Sequence, residues 1–199
     1  VFELDGQPIL DYYRQFLGRE AARDFFELMI QRHGMALVLE GAYAGQTVIK
    51  LPVACDFERG GIAFYPGEDL QGRRLQLIQA TRKGLLDGAR RAAESCLKAL
   101  DGRRPDLVLM VSCCTRNLIL HSRIERELES VRKVMGAAVP VFGYYSGGEL
   151  LPFLSRYEDI TDPSKLFSGC HYHTTTMGLL AFALPKRPRA RVPRSRARR

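Results

Sequence analysis

Two apolar stretches, DLVLMVS at residues 106–112 and VPVFGYY at residues 139–145, decide the fold of the second half of the chain. Such continuous runs are typical of strands that are buried on both faces of a sheet. Between them, apolar residues recur at helical spacing, with Ser122 and Glu125 placed as a capping box and Gly136 as a stop. A strand–helix–strand unit pairs its strands in parallel. The pattern therefore predicts a parallel pair joined by a helix.

The flanking sequence predicts further helices and, in the first half of the chain, antiparallel strands. Helices are expected at residues 8–16, 19–32 and 81–100. Strands are expected at residues 1–4, 35–39, 47–55, 60–65, 73–78 and 171–184, with a turn at Pro66 and Gly67 and a loop at 155–169. The predicted fold class is mixed α/β, with antiparallel N-terminal strands, a parallel strand–helix–strand unit and helices packed on the sheet.

The charge of the chain is concentrated at its end. The formal net charge is +8, and residues 185–199 alone contain eight Lys or Arg residues and no acidic residue. We therefore divide the chain into a folded domain at residues 1–184, which is neutral overall, and a disordered basic tail rich in Pro and Arg. Nucleic-acid binding is expected only through this tail, and a solvated extension is the alternative.

The composition predicts a cytoplasmic protein. No stretch approaches the roughly 18 apolar residues of a membrane span, and no apolar signal-peptide core follows the N-terminus. The five cysteines have no regular spacing, which favours reduced thiols over a disulfide framework. Because the chain begins at Val1 with strand-like sequence, we expect it to be a fragment of a longer protein.

The candidate site lies where the two parallel strands are expected to end, because open α/β sheets bind ligands at the carboxyl ends of their strands. SCCTR at residues 112–116 and GYYSGGE at residues 143–149 both emerge there. The glycines allow sharp turns, and the tyrosines offer flat walls. Glu149 is suited to an amine and Arg116 to a carboxylate, a combination that favours an amino acid or a similar zwitterion.

Five segments, taken in order, resemble the C-terminal half of FIST proteins, the sensory module named for F-box and intracellular signal transduction proteins. They are VFELDGQPILDYYRQFLG (1–18), LVLMVSCCTR (107–116), ERELESVRKVMG (125–136), VPVFGYYSGGEL (139–150) and HYHTTT (171–176). The last segment departs from the family pattern, since Tyr172 and His173 replace the usual Asn and Gln and Cys170 replaces an aromatic residue.

The resemblance implies an intracellular sensory domain that binds a small ligand, such as an amino acid or related metabolite, in signal transduction. It also implies an N-terminal FIST partner domain and a signalling output module, of the kind found in bacteria, or a ubiquitin-ligase partner served by a scaffold. No cofactor is predicted. The ligand-binding residues expected from the motif positions are Cys113, Arg116, Tyr144, Tyr145, Ser146, Gly147, Glu149 and His171.

Two other site chemistries stay open at this point. Cys113 with His171 provides the ingredients of a Cys–His nucleophile, although no acid that would orient the histidine is identifiable. Zinc is the second alternative, because alternation along a strand directs His171 and His173 to one face, and Cys113, Cys114 and Cys170 are suitable ligands. The spacing of these residues matches no regular zinc pattern, so a metal site is not the expected function. Catalysis is not expected either, because the orienting acid is missing.

Overall fold

The computed structural model describes residues 1–18, 32–153 and 170–184. The predicted loop at 155–169 and the basic tail lie outside these ranges, as does the helix predicted at 19–32 except for its last residue. The four helices in the described residues are α1 (Ile9–Leu17), α2 (Arg82–Ala99), α3 (Cys114–Leu120) and α4 (Glu125–Met135). None of them is long and apolar enough to cross a membrane.

The described residues also form eleven strands. These are β1 (Glu3–Leu4), β2 (Gln7–Pro8), β3 (Met35–Val38), β4 (Thr47–Asp56), β5 (Gly61–Tyr65), β6 (Leu75–Leu77), β7 (Leu107–Cys113), β8 (Val141–Ser146), β9 (Glu149–Pro152), β10 (Cys170–His173) and β11 (Met177–Phe182). Single 3₁₀ turns lie at Gly41–Tyr43 and His121–Arg123.

The N-terminal half is built on a four-stranded antiparallel sheet with the order β5-β4-β3-β6. The two segments that alternate about Pro66 and Gly67 are antiparallel strands as predicted, but they lie at opposite edges of this sheet. Helix α1 covers the sheet because its apolar face contributes to a shared core. That core contains Ile9, Leu10, Tyr13, Met35 and Ile62.

The C-terminal half contains the predicted parallel pair. Strands β7 and β8 run parallel from the pair Val108 and Val141 to the pair Cys113 and Ser146, and β11 adds an antiparallel strand on the other side of β7. Apolar faces of α2 and α4 pack on this sheet. Their core contains Ala89, Ala93, Val108, Met110, Val131 and Met135. The predicted mixed α/β fold class, with helices packed on the sheets, is confirmed.

Two local predictions are wrong. The single strand expected at residues 171–184 is divided into β10, which pairs with β9, and β11, which pairs with β7. The division occurs because Thr175 adopts a left-handed backbone with φ of 59°. The capping box is absent, since Ser122 lies inside a 3₁₀ turn and the N-cap of α4 is Ile124, whose backbone is already helical and which has no side-chain cap.

Candidate functional site

The carboxyl ends of β7 and β8 lie side by side, because Cys113 pairs with Ser146 in the parallel ladder. Helix α3 starts directly after β7, and β9 starts after the turn that follows β8. This edge therefore brings the two predicted segments together. Around it, polar side chains form two separate groups, each centred on a buried glutamate.

The Glu127 cluster consists of Ser112, Arg116, Glu127 and Tyr145. Glu127 has no exposed surface, and its Oε1 accepts a hydrogen bond from Nε of Arg116 at 2.7 Å and lies 2.6 Å from Nη2 of the same guanidinium. Its Oε2 accepts from the hydroxyls of Ser112 at 3.0 Å and Tyr145 at 3.2 Å. The carboxylate thus has both a matching charge and donors for both oxygens, which a buried ionised group requires.

Arg116 is bound by the protein at all three of its nitrogens. Besides Glu127, Nη2 donates to the carbonyl of Leu85 at 2.9 Å and Nη1 to the carbonyl of Thr175 at 3.3 Å. One guanidinium therefore connects α2, α4 and the turn between β10 and β11. The expected contact of Arg116 with a ligand carboxylate stays a prediction, and such a ligand would compete with Glu127.

The Glu149 cluster consists of Cys113, Ser146, Glu149 and Thr176. Glu149 is 3% exposed. Its Oε1 accepts a hydrogen bond from the Ser146 hydroxyl, and its Oε2 accepts one from the Thr176 hydroxyl at 2.9 Å. Both donors are neutral, and Glu149 has no ion-pair partner within the described ranges. This buried carboxylate is therefore hydrogen-bonded without a matching positive charge from these residues.

Thr175 lies between the two clusters and is unusual in two ways. A β-branched residue with positive φ is a rare and strained conformation. The Thr175 side chain is also buried, at 4% exposure for the residue, and its hydroxyl has no hydrogen-bond partner in the part of the chain that is described. Its neighbour Thr174, equally buried, donates to the carbonyl of Ile49 at 2.8 Å. Of these two adjacent threonine hydroxyls, only that of Thr175 therefore lacks a partner in the described residues.

The Cys113 thiol is buried at the carboxyl end of β7. Burial raises its pKa, which favours the protonated thiol over the reactive thiolate. The thiol donates to the Thr115 hydroxyl at 3.7 Å. His171, the proposed base, lies on β10 with its ring 5.0 Å from those of Tyr43 and Phe153. The contacts of Cys113 and His171 therefore belong to different parts of the molecule.

The two histidines share one face of β10, as alternation predicts. Both rings lie 5.0 Å from the ring of Phe153. Burial lowers the pKa of His173, and its Nε2 lies 3.1 Å from the Leu151 carbonyl, whereas His171 Nε2 has no hydrogen-bond partner among the described residues. Among those residues, no group of three or more His, Cys, Asp or Glu side chains is arranged to hold a metal ion.

Comparison with known families settles the relationship that the five segments suggest. The profile of the FIST C domain matches residues 10–152, which is more than half of the chain. This chain belongs to the FIST C domain family. FIST C domains are associated with sensory roles in signal transduction. No match was found among curated proteins or among solved structures.

The glycines of the GYYSGGE segment in this FIST C domain have different structural roles. A side chain at Gly143 would overlap the carbonyl of Met110 on β7, so this glycine permits the close approach of the two strands. A side chain at Gly148 would overlap the ring of Tyr172, which lies across it. Nothing lies within 4 Å of the corresponding position at Gly147. Only Gly147 is therefore free of a packing requirement.

Other predicted residues are placed less favourably for a shared site. Tyr144 is 60% exposed on β8, whereas the adjacent Tyr145 turns inward to Glu127. His171 belongs to the aromatic group around Phe153. The remaining predicted residues lie in or beside the two clusters.

Sequence reasoning missed Glu127, Thr175 and Thr176. A signal for Glu127 was present, because it falls three residues after Ile124 and four before Val131, on the apolar stripe of the helix. A charged residue at such a position is expected to have a buried partner. For the two threonines no signal is visible, since their importance comes from the backbone reversal at Thr175.

A separate cleft of about 640 Å³ lies between α2 and α4. None of the predicted ligand-binding residues lines it. Its walls are formed by Leu86, Ser122, Arg123, Glu125, Arg126 and Glu129. Because these side chains are those of a polar helix surface, the cleft offers no convergence of buried polar groups comparable to the strand edge.

Proposed function

We propose that this FIST C domain is an intracellular sensory domain that binds a small metabolite at the carboxyl ends of β7 and β8. Binding would favour one arrangement of the domain relative to an N-terminal FIST domain or an output module, and the attached partner would respond to that shift in population. Amino acids and related metabolites are the first ligand class to test.

The observation that carries this proposal is Thr175. Its strained backbone costs about 1–3 kcal/mol, and such strain concentrates at functional sites. Its buried hydroxyl, without a partner in the described residues, also lacks a hydrogen bond that buried polar groups normally make. A ligand that bonds this hydroxyl accounts for both features. The location, at the carboxyl end of a parallel strand pair, is where α/β sheets usually bind ligands.

Catalysis is the weaker interpretation of the same edge. The family is a sensory one rather than a known class of enzymes. Burial also raises the pKa of Cys113, and the contacts of His171 are aromatic rings rather than this thiol. These observations favour binding over nucleophilic chemistry.

A thermal-shift screen tests the proposal, because a ligand that binds only the folded state must raise its stability. The full chain is screened against amino acids and related metabolites, together with the variants Thr175→Val and Thr174→Val. We expect at least one compound to raise the melting temperature of the unmodified chain, and Thr175→Val to diminish that shift.

The two variants form a matched pair. Thr175→Val removes a hydroxyl without a described partner, so the stability of the free protein should change little. Thr174→Val deprives the Ile49 carbonyl of its donor and should cost about 1–3 kcal/mol while leaving the ligand-induced shift intact. A library without any stabilising compound would contradict ligand sensing and favour a scaffold role. A shift unaffected by Thr175→Val would place the ligand elsewhere.

A further inference from the structure

We infer that the group recognised at this strand edge is a protonated amine and that Glu149 is its counter-charge. The inference rests on the proposed function and adds the chemical class of the ligand. It rests on how the buried charges are paired. Every other buried lysine, arginine or carboxylate in the described residues has an ion-pair partner there, whereas Glu149 has none.

Burying an ionised carboxylate is costly unless an opposite charge or a metal compensates it. The described part of the chain follows this rule elsewhere. Glu127 is paired with Arg116, and the buried Lys50 is paired with Glu68. Glu149 is the exception, since its donors are the neutral hydroxyls of Ser146 and Thr176. A bound cation would supply the missing charge.

The hydrogen-bonding capacity left at the site fits an ammonium group. Each carboxylate oxygen has two acceptor positions, and Ser146 and Thr176 occupy one on each oxygen. An ammonium group has three donors and no acceptor. Two of these can bond the free positions on Glu149, and a hydroxyl or carbonyl acceptor nearby can take the third.

A second, independent feature points to the same place. Thr175 directly precedes Thr176, whose hydroxyl donates to Glu149 at 2.9 Å and whose carbonyl accepts from the amide of Cys113 at 3.0 Å. Thr175, whose buried hydroxyl has no partner among the described residues, therefore adjoins a residue that bonds the carboxylate of Glu149. An amine on Glu149 with a polar group directed to Thr175 satisfies both.

Tyr172 on β10 contacts the turn between β8 and β9. Its ring lies across Gly148, and its hydroxyl bonds that of Tyr65 on the neighbouring sheet. The hydrogen bond with Tyr65 raises the pKa of Tyr172 to about 12, with a smaller contribution from the charge of Glu149. An aromatic ring beside the proposed amine site is favourable to a cation.

Titration calorimetry on the full chain tests the inference with matched compounds that differ in the amine. The pairs are alanine with lactate, ethanolamine with ethylene glycol, and putrescine with 1,4-butanediol, together with any compound identified in the thermal-shift screen and its hydroxyl analogue. Glu149→Gln removes the charge with little change in shape. Glu129→Gln, which removes an exposed carboxylate, is the control for net charge.

We expect an amine to bind and its hydroxyl analogue to bind at least tenfold more weakly. Glu149→Gln should weaken amine binding by about 30-fold or more, the ratio that corresponds to losing one partner of a buried charge pair. Glu129→Gln should leave it unchanged. A hydroxyl analogue that binds as tightly as its amine, or an amine that binds Glu149→Gln equally well, would overturn the inference and leave ligand sensing intact. If no compound binds the unmodified chain, both proposals fail.

Discussion

Glu127 and Glu149 are both buried beside the ends of the same two strands, yet their surroundings differ in one respect. Glu127 receives two hydroxyl bonds and a guanidinium, whereas Glu149 receives two hydroxyl bonds and no cation from the described residues. The first carboxylate is complete within the fold. The second has an unmet electrostatic requirement, which is the property expected of a binding group.

This difference teaches that burial alone does not distinguish a structural charge from a functional one. The partners do. Around Glu127 they come from α3, β7 and β8, so the pair joins elements that must be correctly placed for the fold to form. Around Glu149 they come from the last residue of β8 and from the turn between β10 and β11, where the chain reverses direction.

The largest effect should come from breaking the Glu127 cluster. Arg116→Met leaves the buried carboxylate uncompensated and should lower the free energy of unfolding by about 3–5 kcal/mol, as measured by urea denaturation followed by circular dichroism. Arg126→Met breaks an exposed pair with Glu129 and should cost about 0–1 kcal/mol.

If Arg116→Met does not fold, the double variant Arg116→Met/Glu127→Leu still gives an answer. Replacing a buried ion pair with apolar side chains is often tolerated, so the double variant should recover most of the lost stability. A double variant no more stable than Arg116→Met would show that the uncompensated charge is not the cause.

An intermediate effect should distinguish the charge state of Glu149. Hydrogen bonds to charged groups contribute about 1.5–3 kcal/mol and neutral ones about 0.5–1.5 kcal/mol. Thr176→Val should therefore cost more stability in the unmodified chain than in the Glu149→Gln background. The four proteins of this double-mutant cycle are compared by urea denaturation. Equal losses in both backgrounds would mean that Glu149 is not ionised, and the contrast with Glu127 would disappear.

The smallest effect concerns the pH dependence of the Glu127 cluster. Burial and, next, the charge of Glu127 raise the pKa of Tyr145 from 10.0 to about 12. Because the unfolded chain releases this proton first, the contribution of Tyr145 is complete below pH 10 and is lost between pH 10 and about 12. Urea midpoints should fall more steeply over this interval in the unmodified chain than in Tyr145→Phe. Parallel curves would contradict the assignment.

The parts of the fold that could be predicted are those with a strong local pattern. The continuous apolar runs that became β7 and β8 and the helical periodicity between them are clear, and a strand–helix–strand unit of this kind pairs its strands in parallel. Together with the ordered segments, this was sufficient to identify the family. The location of the site at the strand ends stays a prediction, because it follows from the topology and not from an observed ligand.

The parts that could not be predicted depend on contacts between distant segments. The contacts of Arg116 were not predicted, because nothing in the neighbouring sequence reveals that Leu85, Glu127 and Thr175 bind its three nitrogens. The break between β10 and β11 was missed because a threonine with positive φ contradicts its own local preference. Only tertiary structure stabilises a threonine in this conformation, so no sequence pattern predicts it.

The hydroxyl contact between Tyr65 and Tyr172 has a practical consequence. The chain contains eight tyrosines and no tryptophan, so its near-ultraviolet spectrum comes mainly from tyrosine. Tyr172 lies over Gly148, and a displacement of its ring away from Tyr65 breaks the hydrogen bond between the two phenols. Difference absorbance of the unlabelled chain, with Tyr65→Phe as the reference, thus offers a direct optical signal for loss of this hydrogen bond.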